Sequence, residues 1–267
     1  MLQVARLAPN LLEQAADRVA DFFRSQFNED GGACDRAGKS DLYYTVFTLE
    51  GLIALRHDPP ADRVRPFLES FGDGEGLDFV HQTCLARCWA ALGKQAMPAE
   101  SAQGLARRLT REVKDSVYHQ FLMFGAFEDL GLPLSSDTTR STVLLRQSPD
   151  GSFGGTTPTT AGAVTLIHHL GSDAPPNAVD WLLSRARPGG GFLAAPESPV
   201  PDLLSTATAL HALAAAHASI GALREPMLDF VDSLWTGKAF CGSWADDVHD
   251  SEYTYYGLLS LGHLSLP

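Results

Sequence analysis

The sequence predicts an all-α fold, an α/α toroid of six helix pairs, and three observations carry that prediction. A glycine turn followed by an N-capping residue and an Ala/Leu-rich helix recurs along the chain. The helices come in pairs, the first amphipathic and the second apolar on nearly every face. No alternating apolar run of strand length occurs.

The recurring unit is plainest at Pro188-Gly-Gly-Gly-Phe192, followed by the helix that opens at Asp202. It returns as Cys241-Gly-Ser-Trp244 before Asp250, as Asp30-Gly-Gly32 before Asp41, and as Asp150-Gly-Ser-Phe153 before Thr156. Aligned on the threonine inside each helix, Asp41, Asp202 and Asp250 share one column, with Thr156 in the fourth copy. Weaker copies open at Asp78 and Asp115, so the helix starts fall about 37 to 48 residues apart, the period of a repeat architecture.

Leu12, Ala16, Val19 and Phe23 form one apolar stripe, which predicts a helix from Leu11 to Gln26. Its partner runs from Asp41 to Arg56 and is stopped by Asp58-Pro-Pro60. Ala61 to Phe71 then pairs with Asp78 to Leu92. Glu100 to Val113 pairs with Asp115 to Leu130, which Gly131-Leu-Pro133 ends. Asp137 to Gln147 pairs with Pro158 to Leu170, where Pro158 suits a first helical turn. Asn177 to Arg187 pairs with Asp202 to His217, and Glu225 to Trp235 with Asp250 to Leu264. Amphipathic helices outside and apolar ones inside give two concentric rings. An open solenoid would need polar capping repeats, and neither end reads as one, so residues 1–267 are expected to close into a single toroid domain.

Composition narrows the function. A net charge of −12 argues against a nucleic-acid partner, which would need a basic face. No apolar run approaches the roughly 20 residues of a transmembrane segment. Met1-Leu-Gln-Val-Ala-Arg6 shows no basic region ahead of an apolar block. Four cysteines without framework spacing fit a reducing compartment, so the expected location is cytoplasmic.

Gly-Gly-Gly-Phe192 followed by Pro201-Asp-Leu-Leu-Ser-Thr206 resembles the repeats of protein prenyltransferase β subunits and squalene-hopene cyclases. Gln147-Ser-Pro-Asp-Gly-Ser-Phe153 is similar to the cyclases' Gln…Gly-x-Trp repeat, with Phe for Trp. The prenyltransferase resemblance implies a zinc held by an Asp-x-Cys motif and by a His three residues after a later Asp. Here those positions carry Asp202, Leu204 and Tyr253, and a phenol and an alkyl chain are poor zinc ligands, so zinc is not expected. The cyclase resemblance implies an Asp-x-Asp-Asp-Thr-Ala acid motif, whose middle Asp falls on Leu204. The prenyltransferase resemblance also implies a helical partner protein, since the β subunits pair with one.

The inner-helix starts are expected to converge on one rim, bringing Asp41, Asp78, Asp115, Asp202 and Asp250 together. An Asp there is an ordinary N-cap worth about 1 kcal/mol. Desolvated inside an apolar ring, its pKa would rise and it could protonate an alkene or epoxide. Asp202 and Asp250 are the catalytic candidates, because the resemblance places the chemistry between their helices. The chain's six tyrosines all fall in first turns of inner helices, where aromatic faces either suit a prenyl chain and a carbocation or simply fill the ring, as Phe121, Phe124 and Phe127 are expected to do. Tyr44, Tyr118, Tyr253 and Tyr256, with His119, Ser205 and Trp244, are the candidate substrate-binding residues. Tyr43 and Tyr255 cannot both face inward if those neighbours do. His81, Cys84 and Cys88 share a helix face that His119 could complete as a metal site, but small residues in tight packing explain the cysteines more simply. His249, in Asp246-Asp-Val-His-Asp250, could stand in for the missing histidine, but it lies out of register and reads more simply as part of a solvated acidic loop.

The expected function is a divergent terpene-cyclase-like or prenyltransferase-like protein, enclosing an isoprenoid or similar hydrophobic molecule and using a lone Asp as proton donor. The alternative is a catalytically silent toroid that binds a lipid or a partner protein. A zinc-dependent prenyltransferase β subunit ranks last.

Overall fold

The computed structural model describes residues 1–93, 96–112, 116–133 and 136–266. Two short helices, α1 (Leu2–Ala5) and α2 (Pro9–Leu12), precede α3 (Ala15–Ser25). The hairpin β1 (Ala33–Cys34) and β2 (Ser40–Asp41) leads into α4 (Leu42–Ala54). Then come α5 (Ala61–Glu69), α6 (Phe79–Leu92), α7 (Ala99–Glu112), α8 (Val117–Asp129), α9 (Ser136–Leu144), α10 (Thr157–His169) and α11 (Pro176–Leu183). A second hairpin, β3 (Phe192–Leu193) and β4 (Pro201–Asp202), precedes α12 (Leu203–Ala215), and α13 (Arg224–Ser233) and α14 (Ser251–Leu264) complete the chain.

The even-numbered helices from α4 onward form the inner ring. Each packs on the next, and α14 packs back on α4, so the ring closes. The odd-numbered helices from α3 onward lie outside against them. The burial follows the composition: α12 and α14 are buried on nearly all sides, whereas α3 and α5 bury one stripe. The segment α1 lies across the far ends of α14 and α4. It fits so closely that a Cβ on Gly262 would meet the Val4 carbonyl at 2.1 Å.

The threonine column has a physical cause. Thr45, Thr160, Thr206 and Thr254 are fully buried. Each accepts a hydrogen bond from a backbone N–H of the glycine-turn segment before its helix: Ala33 at 2.8 Å, Phe153 at 3.0 Å, Phe192 at 2.9 Å and Phe240 at 3.2 Å. The hydroxyl thereby staples turn to inner helix. The turn in its place meets the next outer helix: Gly190, at φ +94°, would bring a Cβ within 2.0 Å of the Pro226 carbonyl, so only glycine fits.

Three expectations need adjustment. The helix expected from Leu11 to Gln26 is split, because Pro9 opens the separate turn α2 and Glu13 adopts φ +47°. Short antiparallel strands occur, two residues each, as the arms of glycine turns rather than as a sheet layer. Helix α8 is capped by Ser116, whose hydroxyl accepts from the His119 N–H at 3.1 Å; Asp115 lies outside the described residues. Asp41, Asp78, Asp202 and Asp250 cap α4, α6, α12 and α14 through their side chains. Among the described residues no helix is long and apolar enough to cross a membrane.

Candidate active site

Residues spaced by one helical turn share a face, and five of the six inner helices turn such a stripe toward the middle of the ring. Tyr43 and Phe47 come from α4, Tyr118 and Phe121 from α8, Leu204 and Thr208 from α12, and Tyr255 and Tyr256 from α14. With Pro158, Thr159 and Gly162 of α10 they border an aromatic hollow of about 130 Å3. Its rings pack on one another, Phe47 standing 4.9 Å from Tyr43, 5.7 Å from Tyr255 and 5.4 Å from Tyr256 between centroids. Deeper, toward the inner helices' C-terminal ends, a second hollow of about 220 Å3 is bordered by Glu50, Phe124, Glu128, Asp129, His169 and His211. Met1, Arg87, Phe121 and Leu122 border both. Arg87 donates to Glu50 through Nε at 3.1 Å and Nη2 at 2.7 Å, with its guanidinium 5.9 Å from the Phe47 ring.

At the rim, Glu252 stands one turn above Tyr255 and Tyr256 on the same face of α14. Its carboxylate accepts a 2.5 Å hydrogen bond from the Tyr43 hydroxyl, which comes from the opposite end of the chain. Burial pushes the Glu252 pKa up to about 7, with Asp250 adding to the rise and the Tyr43 hydroxyl and Arg36 opposing it. This carboxyl is absent from the sequence-based candidates. Its i, i+3, i+4 spacing to Tyr255 and Tyr256 would have marked it once the inward face was known.

Asp250 is buried and accepts from Arg36 Nε at 2.7 Å and from the Tyr253 N–H at 2.9 Å. Arg36 also reaches Asp246 at 2.7 Å, so the hairpin after β1 is tied to the loop before α14. Asp202 accepts from the Ser205 N–H at 2.8 Å and from the Ser205 hydroxyl at 2.7 Å, while burial raises its pKa. Neither Asp borders the aromatic hollow, nor does Glu252, which reaches it through Tyr43; Leu204 does border it. His81 bridges two caps, its ring 2.9 Å from Asp78 and 3.2 Å from Asp41.

Of the substrate-binding candidates, Tyr118 and Tyr256 border the hollow, and so do Tyr43 and Tyr255. Tyr44 and Tyr253 do not. Tyr44 meets Tyr43 edge-on at 5.8 Å, and Tyr253 sits against Gly242 beneath the Arg36 guanidinium. His119 packs on Phe79 at 4.5 Å, Ser205 serves Asp202, and Trp244 is half-exposed, donating to Ser233 at 2.8 Å. The residues at the zinc positions do not fit that metal. Asp202 is engaged by Ser205, Leu204 offers only carbon, and burial lifts the Tyr253 phenol to about 12. Among the described residues no three His, Cys, Asp or Glu side chains stand together as a metal cluster.

Comparison with solved structures finds the type II terpene cyclase MstE from Scytonema in its apo form, with a TM-score of 0.64 at 13% identity, covering 96% of this chain and 97% of that one. A single-residue variant of the same cyclase in complex with geranylgeranyl dihydroxybenzoate, its substrate, gives a TM-score of 0.55 at 14% identity, covering 97% of each chain. At such identities the likeness shows the fold alone. No curated protein matches the sequence. The family model of the prenyltransferase alpha-alpha toroid domain matches residues 11–99 and 159–265. With the glycine turns, the capped inner helices and the closed ring, that match shows that the chain belongs to the prenyltransferase alpha-alpha toroid family.

Proposed function

We propose that this protein is a terpene-cyclase-like enzyme that takes an isoprenoid chain into the aromatic hollow and starts its chemistry by protonating the chain from a rim carboxyl. The observation that carries the reading is six aromatic rings, from three inner helices, around one hollow, with the half-buried Glu252 held beside it by one of those residues, Tyr43. Apolar walls favour a hydrocarbon, and ring faces stabilise a positive charge that develops along it. The two hollows together reach the lower end of the roughly 300–1,000 Å3 typical of small-molecule sites.

Glu252 is assigned as the proton donor. In the step, its O–H bond breaks as a C–H bond forms at an alkene carbon, leaving a carbocation and a carboxylate. The Tyr43 hydroxyl stabilises that carboxylate, and loss of a proton from the cyclised cation restores the acid. Asp250, paired with Arg36, holds the rim together, and Asp202 orders the start of α12. No metal is assigned to the site. The likeness to a cyclase whose substrate carries a geranylgeranyl chain supports the choice of ligand.

The test is incubation of the purified protein with isoprenyl alcohols and hydrocarbons of graded length, followed by product analysis by gas chromatography and mass spectrometry. Cyclic isomers of unchanged mass, absent with Glu252→Gln, are expected. Recovery of every substrate unaltered would overturn the catalytic reading and leave a lipid-binding toroid.

A further inference from the structure

The charges inside the ring bear on what the ligand carries at its other end. Among the described side chains that border the hollows there is one permanent cation, Arg87, against the carboxylates of Glu50, Glu128 and Asp129. Met1 borders both hollows as well, and burial lowers the pKa of its amino group, which favours the neutral form. His211 and His169 also border the deeper hollow, and burial lowers the pKa of both rings, that of His211 to about 2. The rim above carries Asp41, Asp78, Asp202, Asp250 and Glu252 against Arg36 and His81. A buried phosphate group needs cationic partners in excess, most often a bidentate Arg or a Lys. Among the described residues, both ends of the interior carry more acid than base.

Arg87 is nevertheless placed where a head group would lie. It stands at the waist between the two hollows. Glu50 takes Nε and Nη2 through a single oxygen, and 26% of the Arg87 side chain stays open. A charge pair buried this way adds little to stability against an apolar replacement, and an unpaired acceptor brought to the guanidinium would complete its donors. From Tyr43, beside Glu252, to Glu50, beside Arg87, the α4 axis advances about 10 Å at the helical rise. An isoprenoid spanning that distance has its reactive end under Glu252 and its head at Arg87.

Resting on the reading above, we infer that the ligand is a neutral isoprenoid, an alcohol or phenol rather than a diphosphate, whose oxygen accepts a hydrogen bond from Arg87. The aromatic hollow takes the chain, Arg87 sets its depth, and the acidic surroundings exclude a diphosphate ester of the same chain.

Isothermal titration calorimetry of the full chain with farnesol, farnesyl diphosphate and farnesene separates the terms. Farnesol is expected to bind roughly tenfold or more tighter than farnesene, the worth of a hydrogen bond to a charged donor, and tighter than the diphosphate. The double variant Glu50→Gln/Arg87→Met, which removes the pair without stranding a charge, should bind farnesol no better than farnesene. A thermal melt confirms that it folds, and if it does not, the wild-type order of the three ligands decides. Diphosphate binding equal to or tighter than farnesol overturns the inference while leaving an isoprenoid toroid. Equal affinity for farnesol and farnesene, or a preference kept in the double variant, overturns the role of Arg87. Failure of all three to bind removes the isoprenoid reading and this inference with it.

Discussion

Glu252 illustrates how one residue's surroundings fix its chemistry. A carboxyl lifted from its ordinary 4.5 to about 7 by burial is substantially protonated at neutral pH, as a proton donor must be. Glu252→Gln keeps the shape and removes the transferable proton, so turnover should fall by about 10²–10⁴-fold, the usual worth of a general acid. Wild-type turnover should decline as pH rises through about 7, a limb read from kcat against pH. The same shift has a stability sign. The folded state holds this proton more tightly than the unfolded chain does, so the contribution to stability is complete below about 4.5 and is lost as pH rises through about 7. Glu252→Gln lacks that slope, and urea midpoints from pH 5 to 8 should show wild type losing ground steadily to the variant. A parallel pair of curves would refute the raised pKa. Tyr43→Phe removes a donor to the carboxylate, so it should move the activity limb to higher pH.

The glycine turn and its threonine work as one element, and their substitutions separate two effects. Thr206→Val preserves volume but strands the buried Phe192 N–H, at a cost of about 1–3 kcal/mol in chemical denaturation. Gly190→Ala adds left-handed strain to a collision with the Pro226 carbonyl, whereas Gly237, at φ +92°, has nothing within 4 Å of the place a methyl group would take. Gly190→Ala should therefore lower the melting temperature well beyond Gly237→Ala, and equal losses would mean that the contact with α13 is unimportant. This element was legible in the sequence, since the glycines, the capping Asp and the aligned threonine each leave a local mark. The inward face of the inner helices was not. A helix that is apolar all round carries no asymmetry to fix its phase, so Tyr44 and Tyr253 were as eligible as Tyr43 and Tyr255. Glu252 was hidden for the same reason, and its partner Tyr43 lies more than two hundred residues away, joined to it only by closure of the ring.

Closure is the property of the whole molecule on which the site depends. The seam between α14 and α4 is crossed by Arg36 to Asp250 and Asp246, by Thr48 to Ser251 at 2.8 Å, and by Tyr43 to Glu252. The proposed acid is thus assembled where the first and last inner helices meet. In an open array each repeat contacts only its neighbours, and loss of a terminal one removes a single interface. In this ring α14 touches both α12 and α4, so removing α13 and α14 uncovers two apolar faces at once. A chain ending at residue 223 should then lose cooperative unfolding, bind a hydrophobic dye such as ANS and take up no isoprenoid, while the full chain melts in one transition seen alike by far- and near-ultraviolet circular dichroism. A truncated chain that kept a sharp transition, with helix content reduced only in proportion to its length, would mean that the repeats stand on their neighbours alone. Closure would then contribute geometry to the site without contributing to the stability of the fold.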